Sequence, residues 1–221
     1  MGHRLRTNLT VVASVAATLL FVAAPAASAS KADDINTARQ GDFQASDFPS
    51  TWSGTRNTSP NDAQIIKIAG KVPACKQYVV VRKAASGLPN ARSLEYDDGA
   101  GTTASNTVYA FPSPAKATAA VKTYSGSTIP TCLDKLTSTS IKGAQVSVSP
   151  VDVGTLGDQS IAYSGDITAS DGSRAQVLSA IVRVGRFVDV YSFQTQSGSP
   201  PSDQINAAVD ASITRLTTAA G

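Results

Sequence analysis

Ala175-Gln176-Val177-Leu178-Ser179-Ala180-Ile181-Val182-Arg183-Val184-Gly185-Arg186-Phe187-Val188-Asp189-Val190-Tyr191-Ser192-Phe193-Gln194 decides the fold. It reads as two β-rich arms around the two-residue turn Gly185-Arg186, with glycine first as a type II′ turn prefers. That turn sets the register: Val184 opposes Phe187, Val182 opposes Asp189, Ala180 opposes Tyr191 and Leu178 opposes Phe193. One face of the hairpin is then apolar apart from Asp189 and is expected to pack against helices. The other face carries Ser179, Ile181, Arg183, Val188, Val190, Ser192 and Gln194, half apolar and half polar.

Downstream, Pro200-Pro201-Ser202 leads into a helix whose Ile205, Ala208, Val209, Ile213 and Leu216 form one stripe. Upstream, Ala144 to Val148 and Ser160 to Ile167 read as strands, and Ser93 to Asp97 with Thr102 to Phe111 as a second hairpin. Ser113-Pro114 opens a helix with Ala117, Ala120, Val121 and Tyr124 on one face. Ser59-Pro60 repeats that cap ahead of Ile65, Ile66, Ile68 and Ala69, and Gly70 suits the stop. Gln77 to Arg82, with Tyr78-Val79-Val80-Val81, reads as a strand. Strands in adjacent hairpins with few helices predict an α+β fold: a twisted antiparallel sheet with helices mainly on one face. Val108-Tyr109-Ala110-Phe111 and Val190-Tyr191-Ser192-Phe193 echo each other and suggest a duplicated half.

The N-terminus predicts export. His3, Arg4 and Arg6 precede the uncharged run Leu9 to Ala24, and Ala27-Ser28-Ala29 is a small-residue cleavage site. The run is shorter than the roughly 20 residues that a membrane-spanning helix needs. Residues 1–29 are thus read as a signal peptide, 30–42 as a flexible arm and 43–221 as a single domain, secreted and without a membrane span. Losing Arg4 and Arg6 from 19 basic against 16 acidic residues leaves a net charge of about +1, and the case for nucleic-acid binding goes with them. In an oxidising compartment Cys75 and Cys132 pair most simply as a disulfide, with two free thiols or a redox pair as the rival reading.

The chain's one histidine is His3 and its one methionine is Met1. Without the signal no imidazole remains for Ser-His-Asp or Cys-His catalysis or for a His-ligated metal. Gly99-Ala100-Gly101-Thr102-Thr103-Ala104 matches a dinucleotide pattern, but strand follows where a helix is required, so a hairpin turn is the better account. Glu95, Asp97 and Asp98 cluster, and turn formation explains them more simply than carboxylate catalysis or calcium. No cofactor and no metal is expected. Trp52, Tyr96, Tyr163 and Tyr191 are either core or ligand-lining. Arg183, on the half-polar face, would suit an anionic ligand or an internal acid. The candidate ligand-binding residues are Arg183, Ser179, Ser192, Gln194 and Tyr163.

Asp47-Phe48-Pro49-Ser50-Thr51-Trp52, the helix after Tyr109-Ala110-Phe111-Pro112-Ser113 with Cys132 beyond it, Leu156-Gly157-Asp158-Gln159-Ser160, and Ile181 to Val188 occur in an order that resembles a known group. It is the extracytoplasmic sensor domain of actinobacterial receptor Ser/Thr kinases of the PknH type, together with stand-alone secreted relatives. The resemblance spans about Phe43 to Leu216. It implies a twisted antiparallel sheet flanked by helices, a cleft for an envelope ligand and no enzymatic activity. Members typically carry two disulfides where this chain has cysteines for one, and signalling through a kinase does not transfer. The expected function is a secreted, non-catalytic, ligand-binding domain of the cell envelope, its cleft on the half-apolar sheet face and its ligand a small or amphipathic molecule. The alternatives are a secreted protein-interaction or inhibitor-type factor and a carboxylate-dependent hydrolase.

Overall fold

The computed structural model describes residues 29–58, 62–141, 143–196 and 201–221. The expected signal segment and the Ser59-Pro60 cap lie outside them. The deciding hairpin forms β7 (Arg174–Val184) and β8 (Phe187–Thr195), in the register that the turn dictates, from Val184 opposite Phe187 to Leu178 opposite Phe193. Gly185 has φ +57°, while no non-glycine residue has positive φ. Left-handed backbone at the first turn position alone is the II′ signature.

Six further strands complete an open antiparallel sheet: β1 (Ser53–Thr55), β2 (Asn90–Arg92), β3 (Glu95–Asp97), β4 (Thr102–Ala110), β5 (Gln145–Val151) and β6 (Gln159–Thr168). Their order is β1-β3-β4-β8-β7-β6-β5, with β2 also paired to β4. β3 and β4 form the second expected hairpin. At its tip Asp97 accepts from the Gly99 amide at 2.6 Å, and Asp98 accepts from the amides of Ala100 and Thr102 at 2.7 and 2.8 Å. Burial is the largest single influence on Asp98 and raises it, but these hydrogen bonds together outweigh it and hold the carboxyl below the usual carboxylate range. Two acids of the cluster are therefore spent on turn geometry.

The helices are α1 (Lys31–Gln40), α2 (Asp62–Ala69), α3 (Lys76–Ala85), α4 (Pro114–Tyr124), α5 (Ile129–Ser140) and α6 (Ser202–Ala220). Ser113 caps α4 as expected, its hydroxyl accepting from the Lys116 amide. α6 turns Ile205, Ala208, Val209 and Leu216 onto the Val182, Ala180, Tyr191 and Phe193 side of the sheet, together with Phe43 and Phe48. α3, α4 and α5 cover Tyr109, Tyr163, Ile181 and Val188 on the opposite side. Helices thus occupy both faces, and the half-polar face of the hairpin carries the larger share.

Several elements differ from expectation. Gln77 to Arg82 is not a strand but part of α3. Tyr78, Val81 and Ala85 are its buried positions, a 3.6-residue stripe that outweighs the β propensity of three consecutive valines. Most of Ser30 to Asp42, expected as a flexible arm, forms α1. Ser30 and Asp33 make a reciprocal capping box, and Asp34 forms an ion pair with Arg186 at the hairpin tip. The echo between the two Val-Tyr segments is not a structural repeat either. Tyr109 packs on the α3–α5 side while Tyr191 packs on the α6 side, so the alternation is out of phase.

Cys75 and Cys132 are joined in a disulfide, both fully buried. The bond links the start of α3 to the first turn of α5.

Gly157 sits where the chain enters β6, with φ +57°, and a Cβ there would lie 2.5 Å from the Arg183 carbonyl oxygen. Backbone cannot yield as a flexible side chain can. Gly157→Ala is expected to cost about 2 kcal/mol in urea unfolding. A loss below about 0.5 kcal/mol, within the range of an ordinary surface substitution, would contradict this.

Candidate functional site

The half-polar hairpin face is not flat under its helices. Ser179, Ile181, Val190 and Ser192 of β7 and β8, with Tyr163 of β6, form the floor of a cleft of about 160 Å³. Tyr78 and Arg82 of α3, Tyr124 of α4, and Ile129 and Leu133 of α5 form its wall. Alternation along the strands puts both serines beside both aliphatic residues on one surface, because Ser179 pairs with Ser192 and Ile181 with Val190 across the hairpin.

Arg82 is the charged centre of the wall. It lies 3.1 Å from Asp62, donates from Nε to the Tyr78 hydroxyl at 3.2 Å, and donates to the Tyr109 hydroxyl at 3.4 Å. Tyr109 in turn donates to Asp62 at 3.1 Å. Both ion-pair side chains are mostly buried, at 12% and 16% exposure. Burial opposes the Arg82 charge, but the phenols of Tyr78, Tyr124 and Tyr109 and the Asp62 carboxylate hold its pKa above the ordinary guanidinium value. Burial, reinforced by Asp62, pushes Tyr109 up to about 12. The cluster is therefore a fixed cation, and the Tyr109 beside it keeps its proton at neutral pH. Tyr163 donates its hydroxyl to the Tyr124 carbonyl, which locks the floor to α4.

Of the residues expected from sequence, Tyr163, Ser179 and Ser192 meet in this cleft. Arg183 does not. It lies at the turn end of β7, where it pairs with Asp158 at 2.9 Å and donates to the Gly185 carbonyl at 2.9 Å. Asp158 also accepts from the Gly185 amide at 2.7 Å. Arg183 thus meets an acid of its own chain and braces the hairpin turn. Gln194 is exposed one alternation beyond Ser192 and does not line the cleft. Tyr96 and Tyr191 are core, and Trp52 stacks on Phe48 at 4.8 Å.

Arg82, Tyr78 and Tyr124 escaped the sequence reading of the site. The spacing of Tyr78 to Arg82, i to i+4, is the signal that places both on one helix face.

Comparison with known proteins adds two slight likenesses. The chain is similar to the extracellular domain of PknH from Mycobacterium tuberculosis, with 12% identity over 76% of this chain and 82% of that one, at a TM-score of 0.41. It is also similar to an uncharacterized protein of Mycobacterium smegmatis, with 10% identity over 64% and 75% and a TM-score of 0.37. The first is a domain of the type that the order of sequence motifs resembles. No protein-family pattern and no curated protein matches the chain. At this level of similarity no residue role passes from either structure, so the cleft stands on its own geometry.

Proposed function

We propose that this chain is a secreted, non-catalytic binding module that holds a small amphipathic molecule of the cell envelope in the cleft between α3–α5 and the sheet. The observation that carries the reading is the lining itself: aliphatic and aromatic surface, two serine hydroxyls on the floor and one buried cation in the wall. Such a mixture grips a ligand by apolar area and orients it by a few polar contacts. A cavity of this size admits a single ring or a short chain, the end of a larger molecule, since about 150 Å³ suffices for benzene.

Among the described residues no acidic side chain lines the cleft, and six of the chain's carboxylates hold structure. Asp97 and Asp98 form a turn, Asp62 holds Arg82 and Tyr109, Asp158 braces the hairpin, and Asp34 and Asp47 pair with arginines. This supports binding over carboxylate-dependent turnover. The disulfide, and the lack of a helix long and apolar enough to cross a membrane among the described residues, accord with an extracellular setting.

Native mass spectrometry of the protein from its own culture medium tests the proposal. Wild type is expected to retain a small molecule that Ser192→Phe, which puts a ring into the cleft from its floor, does not. A clean apo mass for wild type, or equal retention by both proteins, would count against the cleft.

A further inference from the structure

The outer side of α3 and α4 carries a second concavity, separate from the cleft. The two helices run antiparallel, and a trough lies between them in two adjoining sections of about 530 and 280 Å³ that share Val80, Ala119 and Thr123. Ala84 and Leu88 extend its floor. Val80 is 64% exposed, the most exposed large hydrophobic side chain among the described residues. An apolar floor left open in this way marks an interaction surface.

Charge on the rim narrows the occupant. Lys76 and Lys122 flank one end and Lys116 the other, all three exposed. Neither helix contains an acidic residue, as Lys76–Ala85 and Pro114–Tyr124 show. The trough is one-signed over its length, about 15 Å for the ten residues of α3.

We infer that the α3–α4 trough docks an acidic amphipathic helix of a partner protein, about three turns long. Its apolar residues at i, i+3 or i+4, and i+7 would lie over Val80, Ala84 and Ala119, with flanking carboxylates meeting Lys76, Lys116 and Lys122. Small alanines let a third helix approach closely, as ridge-into-groove packing requires. A helix laid between α3 and α4 would meet the apolar strip and the lysines at both of its ends at once, and the vesicle arm of the test below separates it from an anionic bilayer.

Fluorescence anisotropy with the folded, disulfide-intact protein tests this. The probe is a labelled sixteen-residue helical peptide, one version with a leucine stripe and glutamate flanks and one with lysine flanks. The glutamate peptide is expected to bind at least tenfold more tightly than the lysine peptide. Val80→Glu should weaken it at least tenfold, and Lys76→Glu/Lys122→Glu should reverse the preference. All three positions are exposed, so circular dichroism should remain unchanged. Equal affinity for both peptides, unaltered binding to Val80→Glu, or no peptide binding alongside co-sedimentation with phosphatidylglycerol vesicles would each overturn the inference.

Discussion

Cys75→Ala/Cys132→Ala is expected to cost about 4 kcal/mol of stability, the chain-entropy value for a closed loop of 57 residues. In a chain of this length that corresponds to a fall in melting temperature of about 8–16 °C. Both sulfurs are fully buried, so their removal also leaves unfilled space between α3 and α5. The loss should be local before it is global. α3 supplies Tyr78 and Arg82 to the cleft wall and α5 supplies Ile129 and Leu133, and the disulfide is the covalent link between these helices. Amide exchange in the variant should therefore accelerate in α3 more than in α6. A melting temperature lowered by less than about 2 °C, under 1 kcal/mol at this chain length, would show that packing alone fixes the two helices.

The second large effect is on pH. Asp189, the one polar interruption of the apolar hairpin face, is fully buried in β8. Asn106 Nδ2 donates to both of its oxygens at 2.9 Å, and Ser212 Oγ lies 3.3 Å from one of them. Ser212 has a single hydrogen, which it gives to the Gly41 carbonyl. The Asp189–Ser212 contact is then complete when the acid supplies the proton. Burial, with Asp42 adding a smaller repulsion, raises Asp189 to about 7. Asp42 is also raised to about 7, chiefly by burial, and its Oδ1 has no hydrogen-bond partner among the described residues.

Both folded-state values exceed the ordinary 3.8. Between pH 4 and 7 the folded chain therefore binds protons that the unfolded chain releases, and stability falls as pH rises through 7. Wild type should be more stable at pH 5 than at pH 8, with Asp189 contributing a slope on the order of 1 kcal/mol per pH unit. Asp189→Asn copies the protonated acid, its carbonyl accepting from Asn106 and its amide donating to Ser212. Urea titrations across this range should show a slope reduced by roughly half, the remainder belonging to Asp42. An unchanged slope, or a wild type more stable at pH 8 than at pH 5, would contradict a neutral Asp189.

How much of this was legible in the sequence depended on where local signals agreed. The β7–β8 register followed from one glycine, because a two-residue turn leaves no freedom in the alternation. α6 followed from five apolar residues on one stripe. α3 was misread because Tyr78-Val79-Val80-Val81 favours a strand locally, while the helix is chosen by burial of Tyr78, Val81 and Ala85 and by the disulfide at its start. That error displaced Arg82 from the site and left Arg183 as the visible cation. α1 lacks an apolar stripe, with Asp34 and Ala38 as its buried residues, so periodicity was silent. Its signature lay in the cap, Ser30-x-x-Asp33, and in Arg39 at its last turn. Tyr163, Ser179 and Ser192 were found together because strand alternation alone places them on one face. The depth of that face depends on three helices that the sequence does not position.

Occupancy of the cleft is tested most directly by titrating p-cresol, a single ring with one hydroxyl, into the 15N-labelled protein and following backbone amide shifts. Saturable shifts at Ser179, Ile181, Val190 and Ser192 and along Tyr78 to Arg82, abolished by Ser192→Phe, are the expected result. Shifts confined to other surfaces, or the same shifts in Ser192→Phe, would contradict a binding cleft at this position.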